Sequence, residues 1–253
     1  MPLPPPLTRL IDLPTQLADS GYAVLAANDL AALAGVGLPA LAGWGPLWDD
    51  LPPDAFLKDG GRYRRRRHGC FEVSAGSSPT LKPAPHRAHW QPLDYNALHG
   101  GIERWFEPLH PPLAQSPAWA RLLLALAEHC TTLRGVAPGA EPWFVEAHPF
   151  RIDTTDGIGR PTPEGAHRDG VDLVVVILVA RHHIKGGETR VFDARGPQGL
   201  RFTLDEPWSA LLLDDARVIH ESTPIQPLDA GAVGHRDTLV LTFRRGGFQG
   251  PGC

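Results

Sequence analysis

Cysteine is scarce in this sequence: Cys70, Cys130 and Cys253 are the three thiols of 253 residues, widely spaced and without a C-x-x-C pair. An odd, scattered set of this kind excludes a disulfide framework and reads as reduced thiol. Basic charge is not in excess either. Lys and Arg number 24 against 28 Asp and Glu, a net charge of −4, so no global positive field is present to attract nucleic acid. The longest unbroken apolar run, Leu173 to Ala180, is far too short to cross a bilayer. The opening MPLPPPLTRLIDLP lacks the basic patch and apolar stretch of a signal peptide, and the expected compartment is the cytoplasm. No internal repeat recurs at solenoid or propeller spacing. Two H-R-D triplets occur, but no glycine-rich phosphate loop or D-F-G accompanies them, which removes a protein-kinase reading.

What is present is an ordinary globular composition, 42% hydrophobic and 21% charged. A chain of this length buries roughly 70–75% of its unfolded surface and needs no staple. The pattern changes along the chain. Residues 1–140 read as a supporting part of helices and strand, residues 141–245 as a β core, and residues 246–253 as a flexible, glycine-rich tail. Leu7 to Ser20 has apolar residues at helical spacing before Gly21, Tyr22 to Leu25 is a short strand, and Asn28 is placed to cap a helix from Asp29 to Ala34. The clearest helix starts at Ser116-Pro117, runs through Trp119, Leu122, Leu123 and Leu126 towards Leu133, and stops at Gly135.

Beyond Glu141 the strands are Trp143 to Ile152, Leu173 to Val179, Thr189 to Phe192, Leu200 to Leu204, Ala210 to Leu213, Arg217 to His220 and Thr238 to Arg244. Lys185 to Thr189 reads as a hairpin turn whose glycines supply positive φ. With no long amphipathic helix between them, short strands of this kind build a jelly roll rather than a parallel sheet. The arginine run Arg62 to Arg67 reads as a solvated basic loop or edge strand. Alternation in it would place Arg62, Arg64 and Arg66 on one face, and one such face suits a carboxylate.

His167 and Asp169 lie two residues apart, so an extended backbone turns both to one face. His220, on a strand downstream, offers a third ligand. Two histidines and a carboxylate that leave part of an octahedral ion open form the arrangement of non-haem Fe(II) oxygenases. An H-x-D occurs by chance in a histidine-rich chain, and His235-Arg236-Asp237 is a second copy. The order of three features decides between them: H-x-D before a β run, a distal histidine, then Arg236 and Thr238 opening the last strand. Arg236, Thr238, Val240 and Thr242 share a face there. The guanidinium fork suits the distal carboxylate of 2-oxoglutarate, with the hydroxyl adding a hydrogen bond. The same alternation turns His235 and Asp237 away. His148 and Arg151 are substrate candidates on a strand that should line or flank the barrel, each with a structural alternative, a core histidine or an ion pair.

His167-Arg-Asp-Gly-Val-Asp172, Arg181 to Thr189, His220-Glu-Ser-Thr-Pro-Ile225 and Gly234 to Thr242 resemble the bacterial 2-oxoglutarate/Fe(II) dioxygenase family that includes L-isoleucine 4-hydroxylase. Weaker likeness extends through Arg62 to Arg66, Gln91 to Asn96, Gly100 to Phe106 and His148 to Arg151, about two-thirds of the chain in all. The resemblance implies an α+β protein with a double-stranded β-helix and flanking helices. It also implies iron on His167, Asp169 and His220, with 2-oxoglutarate on Arg236. Fe(II), 2-oxoglutarate and O₂ would serve hydroxylation of a small molecule, a free aliphatic amino acid, with ascorbate as reductant in vitro. Related halogenases replace the carboxylate ligand with a small residue; here it is present as Asp169. Two other readings share the barrel: a cupin-like isomerase or hydrolase that uses no keto acid, and a non-catalytic metal sensor. No feature of the sequence fixes the oligomeric state.

Overall fold

The computed structural model describes residues 3–251; Cys253 lies outside them. The helices are α1 (Leu13–Ser20), α2 (Ala27–Leu33), α3 (Leu38–Ala42), α4 (Pro111–Ala114) and α5 (Pro117–Arg134). The strands are β1 (Tyr22–Leu25), β2 (Arg64–Arg66), β3 (Gly69–Ser74), β4 (Thr80–Pro83), β5 (Trp143–Asp153), β6 (Leu173–His182), β7 (Ile184–Gly186), β8 (Thr189–Asp193), β9 (Gly199–Phe202), β10 (Ala210–Asp214), β11 (Val218–Ser222), β12 (Ile225–Pro227) and β13 (His235–Arg244). The large sheet runs β1-β10-β6-β13-β5-β3-β4, with β2 also on β5, and is antiparallel at every pair. The small layer is made of β11-β8-β9 and β12-β7. Together they form a double-stranded β-helix with the helices in a minority.

Alternation along the strands divides the apolar residues between two cores. Val145, Ala147, Val175, Ile177, Ala210, Leu212, Leu239, Leu241 and Phe243 face the helices and pack with Leu17, Leu30, Trp119, Leu122, Leu123 and Leu126. This is why α5 is amphipathic, and Gly135 ends it at φ 60°, where a side chain would be strained. Between the layers a second cluster forms from Val174, Leu178, Leu211 and Leu213 against Val191, Phe202 and Val218. Tyr63, Ile152, Ile184 and Ile225 form a third. The space left between the layers is the cavity.

Several expectations are corrected by tertiary contacts. The first helix begins at Leu13, not Leu7, because Leu7 bridges Val24 and Thr8 N–H donates to Val24 O at 2.7 Å. Helix α2 starts at Ala27, and Asn28 makes no cap. Strands β3 and β4 lie in the part expected to be mostly helical. The glycines of Lys185 to Thr189 do have positive φ, 81° and 67°, but no hairpin joins β6 to β8. The segment instead forms β7, which pairs with β12. The arginine run is not a solvated loop: as β2 it pairs with β5, and Arg64 and Arg66 are buried. Nor is the tail free over its described part. Gln249 is buried and donates from Nε2 to the carbonyls of Asp169 and Gly170, both at 3.0 Å.

Candidate active site

His167 and His220 exchange both backbone hydrogen bonds, at 3.1 and 3.0 Å, across an antiparallel bridge. Residues paired in this way carry their side chains on the same face, and the rings lie 4.7 Å apart. Asp169, two residues on, joins them: its carboxylate oxygens are 3.9 Å from His167 Nε2 and 3.7 Å from His220 Nε2. The Nδ1 of His167 donates to Gly165 O at 2.9 Å, which leaves Nε2 with its lone pair turned inward. The group can hold one metal ion.

The segment around Asp169 is fixed from three sides. Asp215, fully buried, accepts the backbone N–H groups of Asp169, Gly170 and Val171 at 3.0, 2.8 and 3.0 Å. Gln91 Nε2 donates to Asp169 Oδ1 at 3.1 Å. Its amide is oriented because Oε1 accepts from Asn96 and Arg104. Gly170 sits at φ 75° against the Tyr95 ring, where a Cβ would come within 2.5 Å. Burial raises the pKa of Asp169 and lowers that of His220 to about 3. Among the described residues no Lys or Arg pairs with Asp169. A half-buried carboxylate between two imidazoles, with no Lys or Arg partner among the described residues, fits a divalent metal.

The floor of the cavity is the seam of β5 and β13. Phe144, Glu146, His148, Phe150 and Ile152 alternate inward opposite Arg244, Thr242, Val240, Thr238 and Arg236, and all ten line the cavity. Arg236 is buried, and among the described residues it has no carboxylate partner and its Nε and Nη2 make no hydrogen bond. Burial and the nearby Arg181 push its pKa down to about 10. Such a guanidinium fits an incoming carboxylate, and Thr238 lies beside it.

His235 and Asp237 face the other way. Asp237 takes both arms of Arg151, at 2.8 and 2.7 Å, and Arg151 also reaches Asp49. Arg151 is therefore held in an ion pair off the cavity and cannot meet a substrate there, whereas His148 lines it. The ring of His148 belongs to a buried hub in which His68, His89 and His148 approach Glu146 Oε2 at 3.3, 2.6 and 3.5 Å. These four residues have the donor atoms for a metal. However, Arg66 Nη2 lies 2.6 Å from His148 Nδ1. A guanidinium can only donate, so Nδ1 accepts and the His148 proton sits on Nε2, directed at Glu146. Through His148 the hub holds Arg66.

The model of the family described as 2OG-Fe dioxygenase matches residues 45–242. The chain belongs to the 2OG-Fe dioxygenase family. One solved structure, a bsmA homolog from Methylobium petroleophilum, is 56% identical over 97% of this chain and 96% of its own, with a TM-score of 0.90. The dioxygenase also shares its fold with IDO from Bacillus thuringiensis (16% identity, 95% and 97% coverage, TM-score 0.72). It does so too with the Fe(II)/α-ketoglutarate-dependent dioxygenase TqaL (20% identity, 93% and 87% coverage, TM-score 0.69). No curated protein sequence matches it. As a 2OG-Fe dioxygenase it is an oxidoreductase that takes Fe(II), 2-oxoglutarate and O₂ and acts on a small molecule. Among the described residues no single helix is long and apolar enough to cross a membrane.

Sequence reasoning missed Asp215, Gln249 and the joint role of Gln91 and Arg104. The Asp214-Asp215 pair reads as a turn, and only the fold shows that one carboxylate turns back on three amides. Gln249 gives no local signal. The inward face of the arginine run was visible as alternation.

Proposed function

We propose that the dioxygenase holds its iron on His167, Asp169 and His220, holds 2-oxoglutarate with Arg236 and Thr238, and hydroxylates an aliphatic C–H of a free L-amino acid. The observation that carries this reading is the common face of the three ligand atoms, with a carboxylate-free guanidinium on the cavity floor. When bound, iron with 2-oxoglutarate and O₂ supplies an oxidant strong enough for an unactivated carbon. The protein's own residues position and exclude. Gly165 O fixes the His167 tautomer, and Asp215 and Gln91 set the Asp169 carboxylate. The apolar wall of Val176, Val240, Phe144 and Phe150 keeps water from the reacting carbon. An intact carboxylate at Asp169 favours hydroxylation over halogenation. The amino-acid substrate class is supported by the resemblance to the family that includes L-isoleucine 4-hydroxylase.

The test is succinate release by iron-loaded protein with 2-oxoglutarate and ascorbate, with and without pooled L-amino acids. Stimulation by one pool is the expected result. Slow turnover unaffected by any pool would reject the amino-acid class and leave the keto acid. Silence under all conditions would favour the cupin-like alternative.

A further inference from the structure

Arg64 and Arg66 turn inward from β2, and Arg104 reaches the same wall through the bridge of its backbone to His89. All three are buried, yet their charges are treated differently. Arg64 Nε pairs with the buried Asp54 at 2.7 Å. Arg66 and Arg104 have no carboxylate partner among the described residues. The Arg66 guanidinium is clamped between Phe106 and Phe150, 4.0 and 4.2 Å from their ring centres, with Nη2 on His148 and Nε buried without a partner. Arg104 gives Nη2 to Gln91 at 2.9 Å, and its Nε is likewise buried and unmatched. Both side chains line the cavity. The nearby Glu146 is already engaged by three histidines. Two buried guanidinium groups with no carboxylate at ion-pair distance among the described residues, held in orientation, are costly in the empty protein and make sense as half of a site.

This site is distinct from Arg236. Arg64 and Arg236 both register with Ile152, from opposite sides of β5. The two strands that carry them are thus two strand spacings apart, roughly 10 Å. Glu164 lines the same cavity and has Oε2 buried with no partner.

From these observations, and resting on the reading of the enzyme given above, we infer that Arg66 and Arg104 form a second carboxylate site that takes the carboxylate of the substrate, with Glu164 placed for its ammonium. The ligand class is a zwitterionic α-amino acid rather than an amine, amide or uncharged hydrocarbon. Gln91 joins this site to the metal segment: its Oε1 accepts from Arg104 and its Nε2 donates to Asp169. An anion drawing on Arg104 would therefore be felt one residue away from a metal ligand.

The test is calorimetric and reads binding, not turnover. Anaerobic Fe(II)-loaded protein saturated with 2-oxoglutarate is titrated with the twenty free L-amino acids and with the amide of each. The expected result is that at least one acid binds about 100-fold more tightly than its amide. R66M and R104M should each lose about the same factor on that acid, and R66M, which does not touch the support of Asp169, should keep 2-oxoglutarate affinity. Without ligand, R104M should melt no lower than the parent, since it removes a buried charge that has no ion-pair partner among the described residues; a purely structural Arg104 would predict a fall. If no acid binds better than its amide, or if either variant that binds 2-oxoglutarate holds the acid as the parent does, the proposal is wrong. The acid–amide contrast on the unmodified protein needs no variant to fold. Failure to bind 2-oxoglutarate would count against Arg236 and the iron ligands instead, and the acid–amide contrast would still decide whether Arg66 and Arg104 bind a carboxylate.

Discussion

The triplet His-Arg-Asp occurs twice, and the two copies are used inside out. At 167–169 the histidine and aspartate face the cavity, and Arg168 turns out to bond the carbonyl of Asp215 at 2.6 Å. At 235–237 Arg236 faces the cavity, while Asp237 turns out to Arg151. The residues are the same; strand phase decides which of them do chemistry. In the first copy that phase is set by the bridge between His167 and His220, in the second by the pairing of Arg236 with Ile152. A one-residue slip would exchange the roles in either case.

The comparison is broken most severely at the metal. His167→Ala and Asp169→Ala are each expected to abolish succinate formation and iron retention, while His235→Ala leaves both near normal; iron content and coupled turnover on the three variants check this. A smaller effect is expected at the arginines. Arg236→Gln should raise the KM for 2-oxoglutarate about 100-fold, as loss of a buried charged partner typically does, and Arg168→Gln should leave it within the error of the assay. The supports of the two aspartates should separate in kind. Asp215→Asn is expected to weaken iron binding by roughly 10–100-fold, the usual cost of losing a group that orients a ligand. Asp237→Asn instead should lower the urea midpoint by leaving Arg151 half-paired, with no change in iron affinity.

The last effect is on pH, and it acts on the fold and not on the site. Burial lowers the pKa of His89 to about 3 and that of His99 to about 4, against about 6.5 in an unfolded chain. Both are neutral in the folded protein, so the unfolded state takes up more protons as pH falls below about 6.5 and stability drops. Near pH 5 each costs about 2 kcal/mol. Urea midpoints at pH 7 and pH 5 should differ accordingly, and His99→Gln should shrink the difference.

The convergence of His167, Asp169 and His220 was legible because it rests on period-two alternation and on the order of motifs, both local properties. The same logic correctly turned Asp237 outward. The helix–strand outline was legible where apolar spacing was long and clean, as in α5 and β5. It failed at Leu7, where pairing with Val24 overrides helical spacing, and at β3 and β4, which are too short and irregular to stand out. Asp215, Gln91 and Gln249 were beyond reach for a different reason. Each acts on residues 44–80 positions away, and nothing in a glutamine's immediate neighbours says which distant backbone it will meet. Arg151 shows the converse: its place on β5 was right, but the odd–even phase of that strand put it on the wrong side.

Strand β13 is the last strand among the described residues, and it lies in the middle of the large sheet, between β6 and β5. Until residue 244 has left the ribosome, two long strands, each rich in apolar residues, wait with open edges on either side of a missing partner. The barrel thus closes only after β13 has been made, and its longest-range pairings form last and slowly. The nascent chain is most exposed to edge-to-edge association during that interval. Arg236, the proposed cosubstrate arginine, arrives on the strand that closes the gap, so the candidate site cannot be assembled ahead of the fold that protects it.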